Sequence, residues 1–276
     1  MVDQSDRTQD LSEVLNINEC HPARRYDYLL GGKDNYAADR ESGDRLVAAH
    51  PGVKTSVLAN RAFLRRAVRF LTREAGLRQF LDIGTGLPTR PNVHQVAQGI
   101  APESRIVYVD NDPLVLTHAR ALLTSSPEGT TEYVDADLRD PQAILNDIDL
   151  QAALDLKKPV GLLLLAVMHF VTDERKPHDI VRQLLAALPS GSYLAMSHVT
   201  YDPLPEPVVA RLNQEQQRTG EQFQPRSREE FERFFTGLEL VEPGITLVSD
   251  WRPDDESGPR SPDAFAALYS AVARVP

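Results

Sequence analysis

A single cysteine, Cys20, among 276 residues has no second thiol in the chain to pair with. An internal disulfide framework and a multi-cysteine zinc site are thereby excluded, as suits a reducing compartment, and Cys20 reads as incidental. Cationic surplus is also lacking. Lys and Arg number 30 against 40 Asp and Glu, giving a formal charge of -10. A general binder of phosphate backbones neutralises its polyanion with Lys and Arg, so this balance argues against general nucleic-acid binding while leaving room for a local basic strip. Long apolar runs are missing as well: the longest, Val160 to Val167, is too short to span a bilayer. Met1 to Asp10 is polar, without the apolar stretch of a signal peptide or anchor. These absences predict a cytoplasmic protein without membrane contact. What is present, 41% hydrophobic residues over this length, suffices for one sizeable core.

The first 53 residues read as helical, and no strand pattern interrupts them. Pro22 suits a first helical turn, Gly31-Gly32 ends that helix, and Pro51-Gly52 closes the next segment. From Lys54 the apolar Val57, Leu58, Leu64, Val68 and Leu71 recur at helical spacing until Gly76. Arg61, Arg65, Arg66 and Arg69 lie between them and read as one solvated or ion-paired face. Beyond Gly76, short apolar runs at Gln79–Ile83, Arg105–Val109, Thr131–Ala136, Val160–Leu165 and Ser192–Val199 alternate with helical sequence. Such alternation predicts an α/β fold, a doubly wound, mostly parallel sheet. Val160–Leu165, apolar on both faces, belongs near the middle of that sheet. Prolines 203, 205 and 207 mark a helical insertion near 202–236, in which Ser227, Glu229 and Glu230 open a helix carrying Phe231, Phe234 and Phe235. Gly244–Val248 and Phe265–Val275, flanking the polar loop Arg252–Asp263, are expected to form a terminal antiparallel hairpin, although the second can also begin as helix. The domain expectation is a cap over 1–53 on a main domain over 54–276.

Chemistry concentrates at the ends of three strand candidates. Asp82-Ile83-Gly84-Thr85-Gly86 closes the first, and glycines there allow a sharp turn and close backbone approach to a ligand. Asp110, with Asn111, ends the second, where an acid accepts hydrogen bonds from ribose hydroxyls and repels a 2′-phosphate; Asp112 is placed to cap the following helix at Pro113. Asp137 and Leu138 follow the third, where a carboxylate and backbone amides can read an adenine edge. Each feature has a structural reading, as a turn or a cap, but their spaced combination is harder to reach by accident.

This combination resembles the class I S-adenosylmethionine-dependent methyltransferases, and the resemblance implies S-adenosylmethionine as cofactor and a seven-stranded Rossmann-like sheet. Two segments are similar to an actinobacterial S-adenosyl methyltransferase family, formerly a domain of unknown function: Asn18 to Arg40, containing His21-Pro22-Ala23-Arg24-Arg25-Tyr26-Asp27-Tyr28, and Asp82 to Val93. The similarity covers nearly the whole chain and implies no particular acceptor. Pro88 stands where many class I members have a third small residue, which alters the path of the turn. The cofactor set expected is Gly84, Thr85, Gly86, Asp110, Asn111, Asp137, Leu138 and Ala166, with Tyr28 and Tyr36 from a lid over 18–36. Gly84→Val is expected to weaken cofactor binding in a folded protein.

Methyl transfer from a sulfonium needs positioning and water exclusion, plus a base where the acceptor is a hydroxyl. His169, after the fourth strand candidate, is the expected base; His198 and Tyr201 are second choices, and a packed histidine is the plain structural alternative. No metal is expected, and the acceptor is read as a small molecule. Two other readings remain open: a nicotinamide-dependent oxidoreductase, for which the third glycine and its spacing are missing, and a non-catalytic S-adenosylmethionine-binding regulator.

Overall fold

The computed structural model describes residues 16–122, 124–254, 262 and 266–276. The first fifteen residues of the expected cap, most of the 252–263 loop and Phe265 lie outside the described residues. The chain enters through α1 (Pro22–Leu29), α2 (Ala37–Ala49) and the long α3 (Val53–Arg73). It then alternates β1 (Gln79–Ile83), α4 (Val93–Gln98), β2 (Arg105–Asp110), α5 (Pro113–Leu122), β3 (Thr130–Asp135), α6 (Pro141–Leu145), α7 (Ile148–Ala153), β4 (Gly161–Leu165), α8 (Pro177–Ala186) and β5 (Tyr193–Val199). The insertion brings α9 (Glu206–Thr219) and α10 (Arg228–Glu232) before β6 (Glu239–Leu240), β7 (Thr246–Leu247) and β8 (Leu268–Arg274). Helix starts follow the caps in the sequence: Pro22 sits in the first turn of α1, and Ser227 with Glu230 forms a capping box on α10.

The strands form one sheet in the order β3-β2-β1-β4-β5-β8-β6. The first five are parallel and β8 is antiparallel to β5. The expected doubly wound sheet is therefore present, with β4 at its centre. At the β8 edge, the place of a single seventh strand is shared by two-residue strands: Glu239 pairs with Arg274, while Thr246 pairs with Ser270. The expected terminal hairpin survives as the β7–β8 pair, and β6 is an additional strand.

Strand alternation separates two cores. Leu81, Val107, Leu162 and Leu194 face one side with Ile144, Ile180, Phe231, Phe234 and Phe235. Phe80, Ile106, Leu163 and Ala195 face the other, against Phe63, Val68 and Leu71 of α3 and Trp251. Position 161 is glycine because the Phe80 ring occupies its side-chain space: a Cβ there would lie 2.9 Å from Phe80 Cδ1. Of the α3 arginines expected on one solvated or ion-paired face, Arg69 is ion-paired, while Arg66 departs from it. Arg66 is buried and donates to the carbonyls of Trp251 and Val248, because the chain after β7 passes over α3. Arg61 holds the Thr89 and Pro91 carbonyls, and Arg69 pairs with Asp254 at 2.7 Å. No helix among the described residues is long and apolar enough to cross a membrane.

Candidate functional site

The order of strands reverses between β1 and β4, and in an open α/β sheet a crevice forms beyond the carboxyl ends at such a point. A cavity of about 730 Å³ lies there, lined by the residues that follow β1, β2, β3, β4 and β5 and closed over by α1, α2, α3 and α9. Gly84, Thr85, Gly86, Asp110, Asn111, Asp137, Leu138, Ala166, His169 and Tyr201 all line it. Residues spread over more than a hundred positions thus share one chamber.

Gly84 and Gly86 both adopt positive φ, +73° and +67°. At Gly84 a Cβ would lie 2.3 Å from Val167 Cγ2, so this glycine keeps the ends of β1 and β4 in contact. At Gly86 the nearest atom to a Cβ is Ala23 Cβ at 4.0 Å, so the backbone there faces open space under α1. Asp110 locks the turn, accepting from the Gly86 amide at 2.8 Å and from the Asp112 amide at 3.0 Å. One amide on each carboxylate oxygen leaves further acceptor capacity directed to the cavity. Burial raises the Asp110 carboxyl, partly countered by these two amides. Asp137 is held by Arg139, whose Nε lies 2.8 and 2.9 Å from its two oxygens, and the hydrogen bonds of Arg139 keep its carboxyl low.

Two groups to which the sequence alone assigned no individual role belong to this site. Asp82, fully enclosed one residue before the end of β1, has its carboxyl pushed up to about 7 by burial, against the lowering hydrogen bond from Thr85 and the Arg61 charge. A lone carboxylate inside an apolar strand was its sequence signal. The second is a relay of polar side chains. Ala166, at the end of β4 with φ +54°, donates its amide to Ser197 Oγ at 3.0 Å; Ser197 donates to Asn60 Oδ1 at 2.6 Å; Asn60 donates to the Tyr26 hydroxyl at 3.0 Å. Tyr26 in turn donates to the Val57 carbonyl at 3.1 Å, so α1, α3, β4 and β5 are tied together beneath the cavity.

The lid tyrosines require correction. Tyr28 lies over Gly43 of α2 with its hydroxyl 2.6 Å from Asp44, and Tyr36 caps α2 while its ring packs near Leu87, Leu114 and Val115. Neither lines the cavity; Tyr26 does. For Tyr28 the reason is helical phase, since two residues along α1 from Tyr26 turn a side chain about 200° away; Tyr36 lies beyond α1, at the start of α2, where its ring packs on Leu87, Leu114 and Val115. The segment is nevertheless anchored over the cavity. Asp112, expected as a cap, caps α5 through the Leu114 amide and also takes both Nε and Nη2 of buried Arg24, at 2.8 and 3.0 Å. His21 Nδ1 stands 3.0 Å from Asp112 and 3.3 Å from the Ala23 amide; it can donate to the first or accept from the second, not both. Although burial raises it, the partners His21 and Arg24 hold the Asp112 carboxyl well below the usual carboxylate range.

Among the base candidates, His198 does not line the cavity: its Nδ1 donates to the Val199 carbonyl and its Nε2 accepts from Arg226, both at 2.8 Å. Burial and the Arg226 charge push it down to about 3, and neither ring nitrogen is free for an acceptor. Burial, then the Glu221 charge, pushes the Tyr201 phenol up to about 12. His169 lines the cavity, buried, with Nδ1 lacking any hydrogen-bond partner. Burial, with His198, Arg25 and Arg226 nearby, keeps its imidazole neutral.

Residues 8–276 match the profile of a family described as S-adenosyl methyltransferase. A DUF574 family protein from Streptomyces avermitilis is 50% identical over 95% of this chain and 100% of that one, with a TM-score of 0.91. A proposed methyltransferase from Thermobifida fusca is 40% identical over 95% of this chain and 97% of that one, with a TM-score of 0.85. No curated protein matches the chain.

Proposed function

The chain belongs to the S-adenosyl methyltransferase family, and from that premise we propose that the cavity holds S-adenosylmethionine along the Gly84–Gly86 turn and a small-molecule acceptor beneath α9. Membership makes the chain an S-adenosylmethionine-dependent methyltransferase, rather than the nicotinamide-dependent oxidoreductase or non-catalytic binder that its motifs alone left open. The observation that carries the site assignment is Asp110. Its carboxylate is buried, braces the glycine turn through the Gly86 amide and still faces the cavity at the switch point, as a receiver of a ribose diol must.

The other groups fit the same cofactor by the chemistry of their donors and acceptors. Asn111, Asp137 and Leu138 form the adenine side, Asp137 presenting an acceptor already steadied by Arg139. Thr85 and Ala166 line the passage to the methionyl end, where Asp82 offers a carboxyl to the ammonium. When bound, S-adenosylmethionine supplies a methyl already activated by its sulfonium. What remains for the protein is to align the acceptor, exclude water and take up a proton. His169 stands beyond Ala166 as the group that takes the proton. Residues 16–53 serve as a cap attached to the 54–276 domain through Arg24 and Tyr26, in keeping with their place in the cavity wall. Calorimetry tests the assignment: S-adenosylhomocysteine binds and NAD does not, and Asp110→Ala weakens binding by roughly ten- to a hundredfold, the worth of hydrogen bonds to a charged acceptor. Wild-type affinity in that variant would sink the assignment.

A further inference from the structure

We propose that the methyl acceptor is an uncharged molecule with a planar, apolar body, and that it is methylated on a hydroxyl. The inference rests on the cofactor reading above and concerns the other half of the cavity, where α1, α2 and α9 meet the residues after β4 and β5. Arg25, Arg45, Glu215 and Glu221 of this wall are engaged in ion pairs. Arg25 holds Glu221 through two hydrogen bonds of 2.8 and 2.6 Å and also donates to Ser42. Arg45 holds Glu215 at 2.8 Å, and Glu215 also takes Arg218. A carboxylate or phosphate entering here would have to strip an arginine from its partner, and an ammonium would have to strip a glutamate. At Arg25–Glu221, whose side chains are 11% and 28% exposed, such an exchange leaves a largely desolvated charge without its counter-ion, which costs more than the new pair returns; Arg45–Glu215 is more open to water and resists less.

Four further titratable groups of this half are uncharged, since burial raises the Cys20 thiol and the Tyr201 phenol and lowers the His50 and His169 imidazoles, and Glu19 is an exposed acid at the edge of the wall. The rings of His169, Phe170 and Phe223 meet in a cluster, with centroids 4.4 Å apart for His169–Phe170, 5.1 Å for His169–Phe223 and 5.8 Å for Phe170–Phe223. Such a cluster offers edges and faces to a flat apolar body. Within it the imidazole of His169 is the group with unused hydrogen-bonding capacity, since its buried Nδ1 has no partner. A hydroxyl is the uncharged group that both hydrogen-bonds a neutral imidazole and becomes a nucleophile by giving it a proton.

The step balances. The hydroxyl oxygen forms a bond to the methyl carbon while the carbon–sulfur bond breaks, its electron pair staying on sulfur. The hydroxyl proton passes to His169, giving an imidazolium that later loses it to water. Positive charge thus moves from sulfonium to imidazolium, and the net charge of the closed chamber does not change during transfer.

The test uses the full chain loaded with S-adenosylhomocysteine and titrated at neutral pH with 1-naphthol, 1-naphthoate, 1-naphthylmethylammonium and 1-methoxynaphthalene. We expect 1-naphthol to bind at least about tenfold more tightly than either charged probe, and more tightly than the methoxy probe, which cannot donate a hydrogen bond. His169→Phe should remove the difference between naphthol and its methyl ether. Glu221→Gln, which leaves Arg25 without its counter-ion, should move the naphthol-to-naphthoate ratio toward naphthoate by about tenfold, a change that simple hydrophobic preference would not produce. The inference is overturned by preference for a charged probe, by no binding of any probe, by equal binding of naphthol and its ether, or by an unchanged ratio in Glu221→Gln. If His169→Phe does not fold, the wild-type comparison decides the hydroxyl. Failure of S-adenosylhomocysteine to bind at all overturns the cofactor reading first, whereas the other failures, on loaded protein, overturn this inference alone.

Discussion

Asp82 carries a carboxyl that burial pushes up to about 7, so without cofactor it is part protonated near neutrality. By itself this raised value contributes stability that is full below the unfolded carboxyl range and lost as pH rises through about 7. An ammonium placed beside it reverses the preference, because the ionised form then has a partner. Affinity for S-adenosylhomocysteine should therefore climb between about pH 6 and 8 and level off above, with proton release on binding below the plateau. Calorimetry in buffers of different ionisation enthalpy measures both, and Asp82→Asn should flatten the profile; a flat wild-type profile would place the ammonium elsewhere. Gly84 makes a different demand. Its Cβ space is filled by Val167 and its φ is +73°, so Gly84→Val acts first on the fold, and the expectation of a purely binding defect is corrected. Gly84→Ala should lower stability by about 1–3 kcal/mol, and Val167→Ala should recover the steric share but not the backbone strain. Denaturant midpoints of the two single variants and the double variant check this.

For the elements, the cap is held by few, strong contacts. Helix α1 has eight residues, too few to persist alone, and its hold on the domain includes the buried Arg24–Asp112 pair and the Tyr26–Asn60–Ser197 relay. Arg24→Met should cost about 3–5 kcal/mol, mainly from the Asp112 charge left buried without its guanidinium. Because the loss falls on one docking contact, it should appear as faster amide exchange across α1 before global unfolding, together with weaker binding of S-adenosylhomocysteine. Exchange unchanged over residues 23–30 would show that α1 does not depend on this pair. Deleting residues 1–40 removes Arg24 and Tyr26 together and should abolish tight binding for the same reasons.

At the level of the whole molecule, buried neutral histidines set the response to acid. Burial lowers His94 to about 4 and His198 to about 3, and holds His169 well below its ordinary value. Between those values and the unfolded histidine range near pH 6.5, the unfolded chain binds protons that the folded chain refuses, so stability rises with pH across that window and is lost on acidification. Asp82 opposes with one proton against three, so among these large shifts the histidines win. Denaturant midpoints should begin to fall below about pH 6.5, well before ordinary carboxylates protonate near 4, and onset only near 4 would contradict the burial of these rings as neutral species.

Much of this molecule is written locally. Runs such as Phe80-Leu81-Asp82-Ile83 and Leu162 to Leu165 can only be buried strands, their order along the chain requires parallel crossovers, and Gly84, Gly86 and Asp110 mark the carboxyl edge whatever surrounds them. Periodicity and turn chemistry act over a few residues, which is why sequence alone determined the sheet, the glycine turn and the ends of the helices. Contacts across long separations obey no such short rule. Tyr26 rather than Tyr28 enters the wall because α1 docks in one rotation on α3; His198 is sealed by Arg226, 28 residues later; Arg66 is buried by carbonyls more than 180 residues away. The two short strands on the β8 edge are equally a matter of what that edge could find to pair with. Only the tertiary structure decided which polar groups lost water, which found a partner and which, like His169 Nδ1, have none, because desolvation and pairing depend on every segment that closes around a site.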